Sequence, residues 1–521
     1  MGENVKRLVV PTLFVLLVGV TILCIRVGEG DPILALTPAI VLGALYFAWW
    51  VPLRWPLLIT IFLALTLENP SDTPACGQWK SPFYEVGAAL LVHLNVTLPQ
   101  YKALAFSGLD LILAYLFVVA AVRYLKGSRI DARPDADVGP IGWLAGMSLA
   151  AVTWMWAYGM GRADPDVSSS LWQVQRVVYL PALVFLFQAG FRTARDGLAV
   201  GKVVVAAACL KAVLAIYIRA TVAPPAGETF LQYATTHADS MLFSVAFCAV
   251  LARVIHRRRH RALLVAVVLP LLLAGMIANG RRLAWVELAV GVLAVVLLTP
   301  WSTAKRAFYR GLVGFSPLLL AYAAIGWSSE SAVFRPIHTL RSVVDSKADP
   351  STMWRDLENY DLFFTLRHNP IVGTGYGHGY DEIVWLPDIS HDYALYRFLP
   401  HNSILGLWAY GGLIGFTALW MILVAGVFLA ARAYRHATAA DDRIVALTAI
   451  AIVVVYLAYC YGDLGLGTWT SVFLVAPALA VSSRLAVATG AWPTLRASAQ
   501  PSPRAVPATA WGPTRVAETQ T

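Results

Sequence analysis

The chain has 521 residues, of which 58% are hydrophobic and only 13% are charged, and its mean hydropathy is +0.65. A composition this apolar excludes an ordinary soluble protein and indicates an integral membrane protein with many membrane segments. The net charge of +10 would suggest nucleic-acid binding in a soluble domain, but in a membrane protein Lys and Arg first report topology. We therefore expect no nucleic-acid partner. The five cysteines are scattered and predict neither a disulfide framework nor a metal cluster.

About fourteen apolar segments follow one another along the chain, and each is a candidate membrane helix. They lie near residues 8–25, 34–52, 55–66, 104–122, 139–158, 174–190, 197–217, 236–252, 262–279, 283–299, 311–327, 402–430, 443–460 and 465–483. Lys6 and Arg7 precede the first segment as in a signal peptide, but no small-residue cleavage pattern follows, so we expect this helix to be retained. The predicted fold class is an all-α polytopic integral membrane protein of about 14 transmembrane helices with one large extracytoplasmic loop.

The basic residues of the loops predict how the chain is threaded, because Lys and Arg collect on the cytoplasmic side. With the amino terminus inside, the inside loops contain basic residues throughout: Arg54; Arg123, Lys126, Arg129 and Arg133; Arg192 and Arg195; the run at 253–261; Lys305, Arg306 and Arg310; and Arg432, Arg435 and Arg443. This threading predicts that both termini are cytoplasmic. It also places the long loop at 328–400 outside, in the periplasm or its equivalent.

The predicted organisation has four parts. Residues 1–327 form membrane helices 1–11 with short loops, 328–400 form the extracytoplasmic catalytic loop, 401–484 form membrane helices 12–14, and 485–521 form a disordered cytoplasmic tail. A second outside segment, 68–100, contains an apolar stretch at 86–96 that is expected to lie along the interface or re-enter the membrane. No internal repeat is visible, so the inverted-repeat pattern of many transporters is missing.

Three pieces of the long outside loop contain candidate functional residues. Residues 354–364 have apolar positions at helical spacing and predict an amphipathic helix that carries Arg355. Residues 368–379 are rich in glycine and resemble a phosphate-cradling loop, although the βαβ context of a dinucleotide site is missing. The alternative is a tight turn whose glycines permit unusual backbone angles. Residues 391–400 lead into His401, which places an imidazole where the loop meets an apolar helix.

Two arginines, Arg281 and Arg282, lie at the outer end of the ninth segment. Ionisable groups at membrane depth are costly and usually form pairs or line a substrate pathway. The two arginines could instead extend toward lipid head groups, but their position on the outer face runs against the positive-inside bias. Glu287 could pair with one of them. The other charges at the edges of segments are expected to be structural pairs: Asp110, Lys211 and Asp463.

The stretch that begins at His401 resembles a known signature. His401 and Asn402 are followed by nine residues, then Gly412, two residues and Gly415. This spacing is similar to the signature of the O-antigen ligase and O-antigen polymerase superfamily of bacterial multi-span membrane glycosyltransferases.

Two looser features agree with this resemblance. The stretch from Arg355 through Pro370, Gly373 and Gly375 resembles the outer-loop sequence of the superfamily, in which an Arg-bearing helix leads to a Pro-x-x-Gly-x-Gly turn. The arginine pair at 281–282 is similar to the Arg that begins a membrane helix in these enzymes. The resemblance covers about residues 275–430.

The resemblance implies a glycosyltransferase in the bacterial cytoplasmic (inner) membrane, with a site that faces outward and uses a glycan linked to polyprenyl (undecaprenyl) diphosphate. In the family, the His acts as general base on the acceptor hydroxyl and arginines hold the donor diphosphate. General chemistry supports these roles, because a neutral imidazole can take the proton of a poorly nucleophilic sugar hydroxyl. A guanidinium can also neutralise diphosphate through forked hydrogen bonds without a metal. Neither a metal nor a cofactor is predicted.

The site residues follow from this resemblance. We predict His401 as the general base, with Arg282 and Arg355 as the catalytic clamps on the diphosphate. The residues predicted to bind substrate are Arg281, Asn402, Gly373, Gly375, Gly412 and Gly415. Because the family usually shows one Arg at the helix start, the sequence leaves open which of Arg281 and Arg282 contacts the diphosphate.

Two reactions of the superfamily need the same base and clamp. A polymerase joins repeat units on the lipid carrier, whereas a ligase moves the finished polymer to lipid A core or another acceptor. The large number of spans and the long outer loop favour polymerisation of O-antigen or exopolysaccharide units, with ligation as the alternative. A lipid-linked sugar transporter is less expected, because it would not need His401 at a junction of loop and helix. Membrane lipid and other polysaccharide assembly proteins are further expected partners.

Overall fold

The computed structural model describes residues 3–27, 29–30, 32–67, 83–91, 106–126, 139–222, 233–257, 261–301, 303–329, 331–334, 337, 341, 350–390, 393 and 395–493. All regular secondary structure in this part of the chain is helical. The helices are α1 (Glu3–Val27), α2 (Pro32–Trp50), α3 (Arg54–Thr66), α4 (Tyr84–Leu91), α5 (Gly108–Leu125), α6 (Gly139–Met160), α7 (Val167–Gly190), α8 (Ala194–Thr221), α9 (His237–His256), α10 (Arg261–Asn279), α11 (Leu283–Leu298), α12 (Thr303–Gly326), α13 (Pro350–His368), α14 (Ser403–His436), α15 (Ala440–Gly462) and α16 (Trp469–Ala488).

Each predicted apolar segment overlaps one of these helices, so the prediction of an all-α polytopic membrane protein is confirmed. By length and composition, eight of the described helices can cross a membrane: α5, α7, α8, α9, α10, α14, α15 and α16. Shorter apolar helices lie in α1, α2, α3 and α11. The total of about fourteen crossings stays a prediction. The predicted amphipathic helix of the outer loop is present as α13.

Helices α9, α15 and α16 form the centre of the bundle and are buried over most of their length. Helix α16 packs against α7, α14 and α15. Apolar residues on all sides of these helices suit them to burial on every face. Helices α1, α2 and α12 instead expose large apolar side chains such as Phe14, Tyr46 and Leu320, as expected of surfaces that face lipid.

Two of the three edge charges have structural partners, as the sequence predicts. Asp110 forms a capping box with Ser107 at the start of α5, which satisfies two backbone N–H groups of the first turn. Lys211 Nζ lies 3.5 Å from Asp239 Oδ2, and both side chains are buried between α8 and α9. Each charge therefore has a local partner that offsets part of its burial cost. The third edge charge, Asp463, lies in the candidate site.

Two of the predicted regions are described only in part. Helix α4 covers the start of the apolar stretch at 86–96, and residues 92–96 lie outside the described residues. Helix α16 continues past the predicted domain boundary at 484 to Ala488, and the remainder of the tail from 494 onward lies outside the described residues. The predicted domain boundaries stay predictions.

The longest helix, α14, has 34 residues, which would span about 51 Å in a straight helix. It is broken at Gly412, whose backbone angles are φ 55° and ψ −162°. A short segment, 403–411, precedes this break and packs against α13, so the loop helix and the membrane helix are in direct contact. This arrangement brings the residues that precede α14 next to those of α13.

Candidate functional site

His401 lies immediately before α14 and is held in place by its neighbour. The side-chain oxygen of Asn402 accepts a hydrogen bond from the backbone N–H of Leu405 (3.1 Å), so Asn402 is the N-cap of α14. The Asn402 side-chain amide also donates to the Asn359 side-chain oxygen in α13 (2.9 Å). Because Asn402 is buried and bonded on both sides, the backbone that carries His401 is fixed between α13 and α14.

A buried carboxylate of α13 contacts the same histidine. The Glu358 carboxylate accepts from the backbone N–H of His401, at 3.1 and 3.3 Å, and its Oε1 lies 3.4 Å from His401 Nδ1. No hydrogen bond joins Nε2 to another residue of the described ranges. With Nδ1 facing a carboxylate, Nε2 is the nitrogen left to accept a proton. The rings of Trp354 and Tyr393 approach the imidazole edge-on, with centroids at 5.2 and 5.9 Å.

Arg281 forms the centre of a second cluster, in the turn between α10 and α11. Its guanidinium is 2.5 Å from His237 Nε2, donates to the carbonyl of Thr235 at 3.4 Å, and lies 3.6 Å from the centre of the Tyr233 ring. Because Arg has only donors, His237 Nε2 must accept and Nδ1 must carry the proton. Burial is the main cause that lowers the pKa of Arg281 to about 10, so the side chain stays cationic near pH 7.

Asp463 follows α15 and closes this cluster. Its Oδ2 lies 3.1 Å from His237 Nδ1, although the angle is outside the range of a hydrogen bond. Its carbonyl accepts from the Ser403 hydroxyl at the start of α14 (3.2 Å). Burial would raise the pKa of the Asp463 carboxyl, but the charge of Arg355 and the backbone N–H of Leu464 outweigh it, and the pKa is held below its usual value. Asp463 therefore joins the end of α15 to both clusters.

Electrostatic interactions connect the two clusters. Arg355 lies one turn before Glu358 in α13, and its charge acts on both Arg281 and Asp463. The charge of His401 also acts on Asp463. The structure thus brings three of the predicted residues, His401, Arg355 and Arg281, within electrostatic range of the same carboxylate, Asp463.

The contacts of the arginine pair separate its two members. Arg281 is buried and makes the contacts with His237 and Tyr233, whereas Arg282 is half-buried at the N-cap of α11. The expected pairing of Glu287 with one of these arginines is wrong. Both carboxylate oxygens of Glu287 are buried without a hydrogen-bond partner in the described ranges, and the Arg281 guanidinium is already engaged by His237, Thr235 and Tyr233.

The glycine-rich turn of the outer loop docks on the break in α14. The backbone N–H groups of Thr374 and Gly375 donate to carbonyls of the helix segment before the break, at 3.1 and 2.9 Å. In return, the N–H groups of Leu413 and Ile414 donate to carbonyls of the turn, at 2.9 and 3.1 Å. The turn therefore satisfies backbone groups that the break would leave without helical partners.

The four predicted glycines lie against the protein itself. Gly373 and Gly375 have φ of 75° and 77°, and a Cβ at Gly373 or Gly412 would come within 2.5 Å of backbone atoms across this contact. A Cβ at Gly415 would lie 2.5 Å from Met155 Sδ in α6. This geometry agrees with the tight-turn alternative, since only glycine fits such angles and approaches. The predicted role of these glycines in substrate binding stays a prediction.

The sequence missed several residues of the site. The sequence spacing could have identified Glu358, because it lies three residues after Arg355 on a predicted helix and therefore on the same helix face. No sequence pattern could have identified His237 and Tyr233, because they lie in another part of the chain from Arg281. Within the described ranges, no group of three or more His, Cys, Asp or Glu side chains could hold a metal ion.

Comparisons with known proteins match the same part of the chain. Residues 267–420 match a family model described as O-antigen ligase, and this segment contains Arg281, Arg355, Glu358 and His401. The resemblance to the O-antigen ligase and polymerase superfamily is thereby confirmed.

A relative with an assigned name gives the second comparison. An O-antigen ligase of Salmonella typhimurium is 28% identical over 197 residues, which is 36% of this chain and 45% of the relative. The match therefore covers less than half of that relative's length. Both comparisons carry the ligase name within the superfamily.

Proposed function

We propose that this protein is a membrane glycosyltransferase of the O-antigen ligase type. It transfers a glycan from polyprenyl (undecaprenyl) diphosphate to a hydroxyl of lipid A core or another acceptor, in the biosynthesis of lipopolysaccharide. The observation that carries the proposal is that His401, oriented by Glu358, and the cations Arg281 and Arg355 all lie around Asp463. A base and an anion-binding group at one place are what glycan transfer from a diphosphate needs.

In the proposed reaction, His401 Nε2 takes the proton of the acceptor hydroxyl while that oxygen forms a bond to the anomeric carbon of the donor sugar. The bond between that carbon and the diphosphate oxygen breaks, and polyprenyl diphosphate leaves with the electron pair. The Glu358 carboxylate stabilises the imidazolium through Nδ1. Arg281 and Arg355 stabilise the charge on the leaving diphosphate without requiring a metal.

The contacts of Arg281 support its role as a clamp that is oriented before substrate arrives. His237, Thr235 and Tyr233 hold its guanidinium from three sides. A preorganised donor costs little reorganisation as charge develops. His237 and Glu358 are therefore positioning residues, one for the clamp and one for the base. We assign the main diphosphate contact to Arg281, with Arg282 as the alternative that the sequence left open.

We further propose that this site faces the periplasm or exterior from the cytoplasmic membrane of a bacterium, with both termini cytoplasmic. The support is the distribution of basic residues, which are frequent in the loops that this threading places inside. The donor glycan and membrane lipid are the proposed partners, with other polysaccharide assembly proteins.

Polymerisation of O-antigen or exopolysaccharide repeat units is the second candidate function. The observation in its favour is the large number of apolar helices, together with the long outer loop. The ligase name of both comparisons favours ligation instead. Since the two reactions share the base and the clamp, only the accumulating substrate separates them.

The test is the state of the polyprenyl-linked glycan in cells that carry His401→Ala. We expect loss of transfer by roughly 100-fold or more, as for removal of a general base, with long chains left on the carrier at the outer face. Single repeat units at the outer face would instead establish the polymerase. Glycan trapped at the inner face, or full activity, would overturn the catalytic proposal. The control is His368→Ala, an exposed histidine of α13, which should retain activity.

A further inference from the structure

An apolar groove lies at the end of the bundle opposite the candidate site. It is formed by α8, α9, α10, α15 and α16 and has a volume of about 370 Å³, within the range of roughly 300–1,000 Å³ for ligand pockets. In α9, Arg253 lines the groove, whereas His237 at the other end belongs to the candidate site. At 1.5 Å per residue these two positions are about 24 Å apart, so the groove is a separate site.

The other helices of the groove agree with this placement. Its residues in α15 extend from Ile444 near the start of the helix to Ile452 at its midpoint, whereas Asp463 follows its end. Its residues in α8 lie in the first half of that helix, beginning at Gly197. The groove is therefore toward the end of the bundle that contains Arg257, directly after α9, and Arg443, in the first turn of α15. The predicted threading places both arginines at the cytoplasmic face.

The side chains of the groove combine an apolar wall with two cations. Val204 and Ile452 are among the wall residues, and Lys202 of α8 and Arg253 of α9 line the same groove. Lys202 is exposed and Arg253 is half-buried. Neither cation forms an ion pair with another residue in the described ranges. An apolar channel beside two cations is complementary to an amphiphile with an apolar chain and an anionic head.

We propose that this groove binds an anionic glycerophospholipid of the cytoplasmic leaflet. One acyl chain lies along the apolar wall, and the phosphate lies between Lys202 and Arg253. Basic pockets between membrane helices on the cytoplasmic side hold anionic lipid head groups by this combination of charge and apolar contact. The bound lipid contacts the helices that line the groove and stabilises their packing.

Gly201 permits a direct test of the chain-binding part of this proposal. It lines the groove, and a Cβ added there meets no atom within 4 Å, so a larger side chain would enter the open space. Leu is also a better helix former than Gly, so Gly201→Leu should keep α8 intact while filling the groove. The head-group part is tested by Lys202→Gln combined with Arg253→Gln.

A matched control removes two cations elsewhere. Lys126 and Arg435 lie at the carboxyl ends of α5 and α14, are exposed, and do not line the groove. Combining Lys126→Gln with Arg435→Gln changes the net charge by the same amount as the groove variant. It therefore separates a specific site from general attraction to an anionic lipid.

The experiment is native mass spectrometry of the full-length protein in detergent, titrated with phosphatidylglycerol or with phosphatidylcholine of the same acyl chains. We expect one phosphatidylglycerol to bind preferentially to the unmodified protein and to the control. Removing both groove cations should weaken that binding by roughly thirtyfold and abolish the preference. Gly201→Leu should weaken binding of both lipids.

Several results would overturn the proposal. Equal binding of the two lipids to the unmodified protein would remove the role of charge, and unchanged phosphatidylglycerol binding in either groove variant would place the lipid elsewhere. Displacement by glycerol 3-phosphate at equal concentration would indicate a phosphate site without a chain. Displacement by polyprenyl monophosphate at lower concentration would assign the groove to the glycan carrier.

Discussion

The two clusters of the candidate site hold their functional side chains in different ways. His401 is fixed through its backbone, because its N–H donates to Glu358 and the next residue caps α14 and bonds to α13. Arg281 is fixed through its side chain, by the His237 ring, the Thr235 carbonyl and the face of Tyr233. One residue keeps its place through main-chain contacts, whereas the other depends on the shape of its guanidinium.

This difference predicts unequal tolerance to conservative substitutions. Around His401, a partner can lose its charge and still accept the backbone hydrogen bond. Around Arg281, no replacement keeps the planar fork and the stacking on an aromatic ring together. The clamp should therefore be more sensitive to conservative change than the support of the base.

The largest effect is expected for Arg281→Lys. A point charge cannot form the guanidinium fork or stack as well on Tyr233, so transfer should fall by roughly 100-fold. The measurement is the initial rate of transfer by the purified protein from polyprenyl diphosphate-linked glycan. Arg282→Lys is the matched comparison at the next residue, and its loss should be clearly smaller. A larger loss at position 282 would assign the main clamp role to Arg282 instead.

The sequence could predict the residues of this site only where the signal is local. The position of His401 before an apolar helix and the Arg355 helix of the loop were both visible in the spacing of residues. The contact between His237 and Arg281 joins residues 44 positions apart and depends on how the ends of α9 and α11 meet. The hydrophobic periodicity of a single segment does not predict which residues of two different segments come into contact.

The glycine-rich turn is a second feature that the sequence predicts only in part. The glycines at 373 and 375 predicted unusual backbone angles, and the structure has positive φ at both. Their partner, the break in α14 at Gly412, is not visible in the sequence, because the segment at 402–430 is apolar throughout and predicts one uninterrupted span. Helix length and hydropathy do not report a single residue with non-helical angles, so the docking of the turn needed the structure.

A smaller effect is expected for Glu358→Gln. The amide keeps an acceptor for the backbone N–H of His401 but cannot stabilise an imidazolium as a carboxylate does, so the rate should fall by about tenfold with little change in unfolding temperature. Glu358→Ala should lose both contacts and also destabilise the protein by about 1–3 kcal/mol, because the His401 N–H stays buried without an acceptor. Rates and thermal unfolding of both variants check this.

The control for these variants is Glu382→Gln in the same loop. Glu382 pairs with the exposed Arg397, and such surface pairs contribute little, so activity and stability should be nearly unchanged. Equal rates for Glu358→Gln and the unmodified protein would contradict the role of Glu358 as a positioning residue for the base.

The smallest effect is expected for Asp463→Asn and concerns stability against pH. The pKa of Asp463 lies below its ordinary value of 3.8 in the folded protein, so its carboxylate stabilises the fold above that value, and this contribution is lost as the pH falls below about 4 through the lowered pKa. The variant should therefore be less stable by about 1–3 kcal/mol at pH 7, and this deficit should be smaller at pH 3, where part of the contribution of the carboxylate is lost. Thermal unfolding in detergent at both pH values measures this, with the exposed Asp356→Asn as control. An equal loss of stability at pH 7 and pH 3 would mean that Asp463 acts through packing and hydrogen bonds alone. The charge of Asp463 would then not contribute to holding His237 beside Arg281.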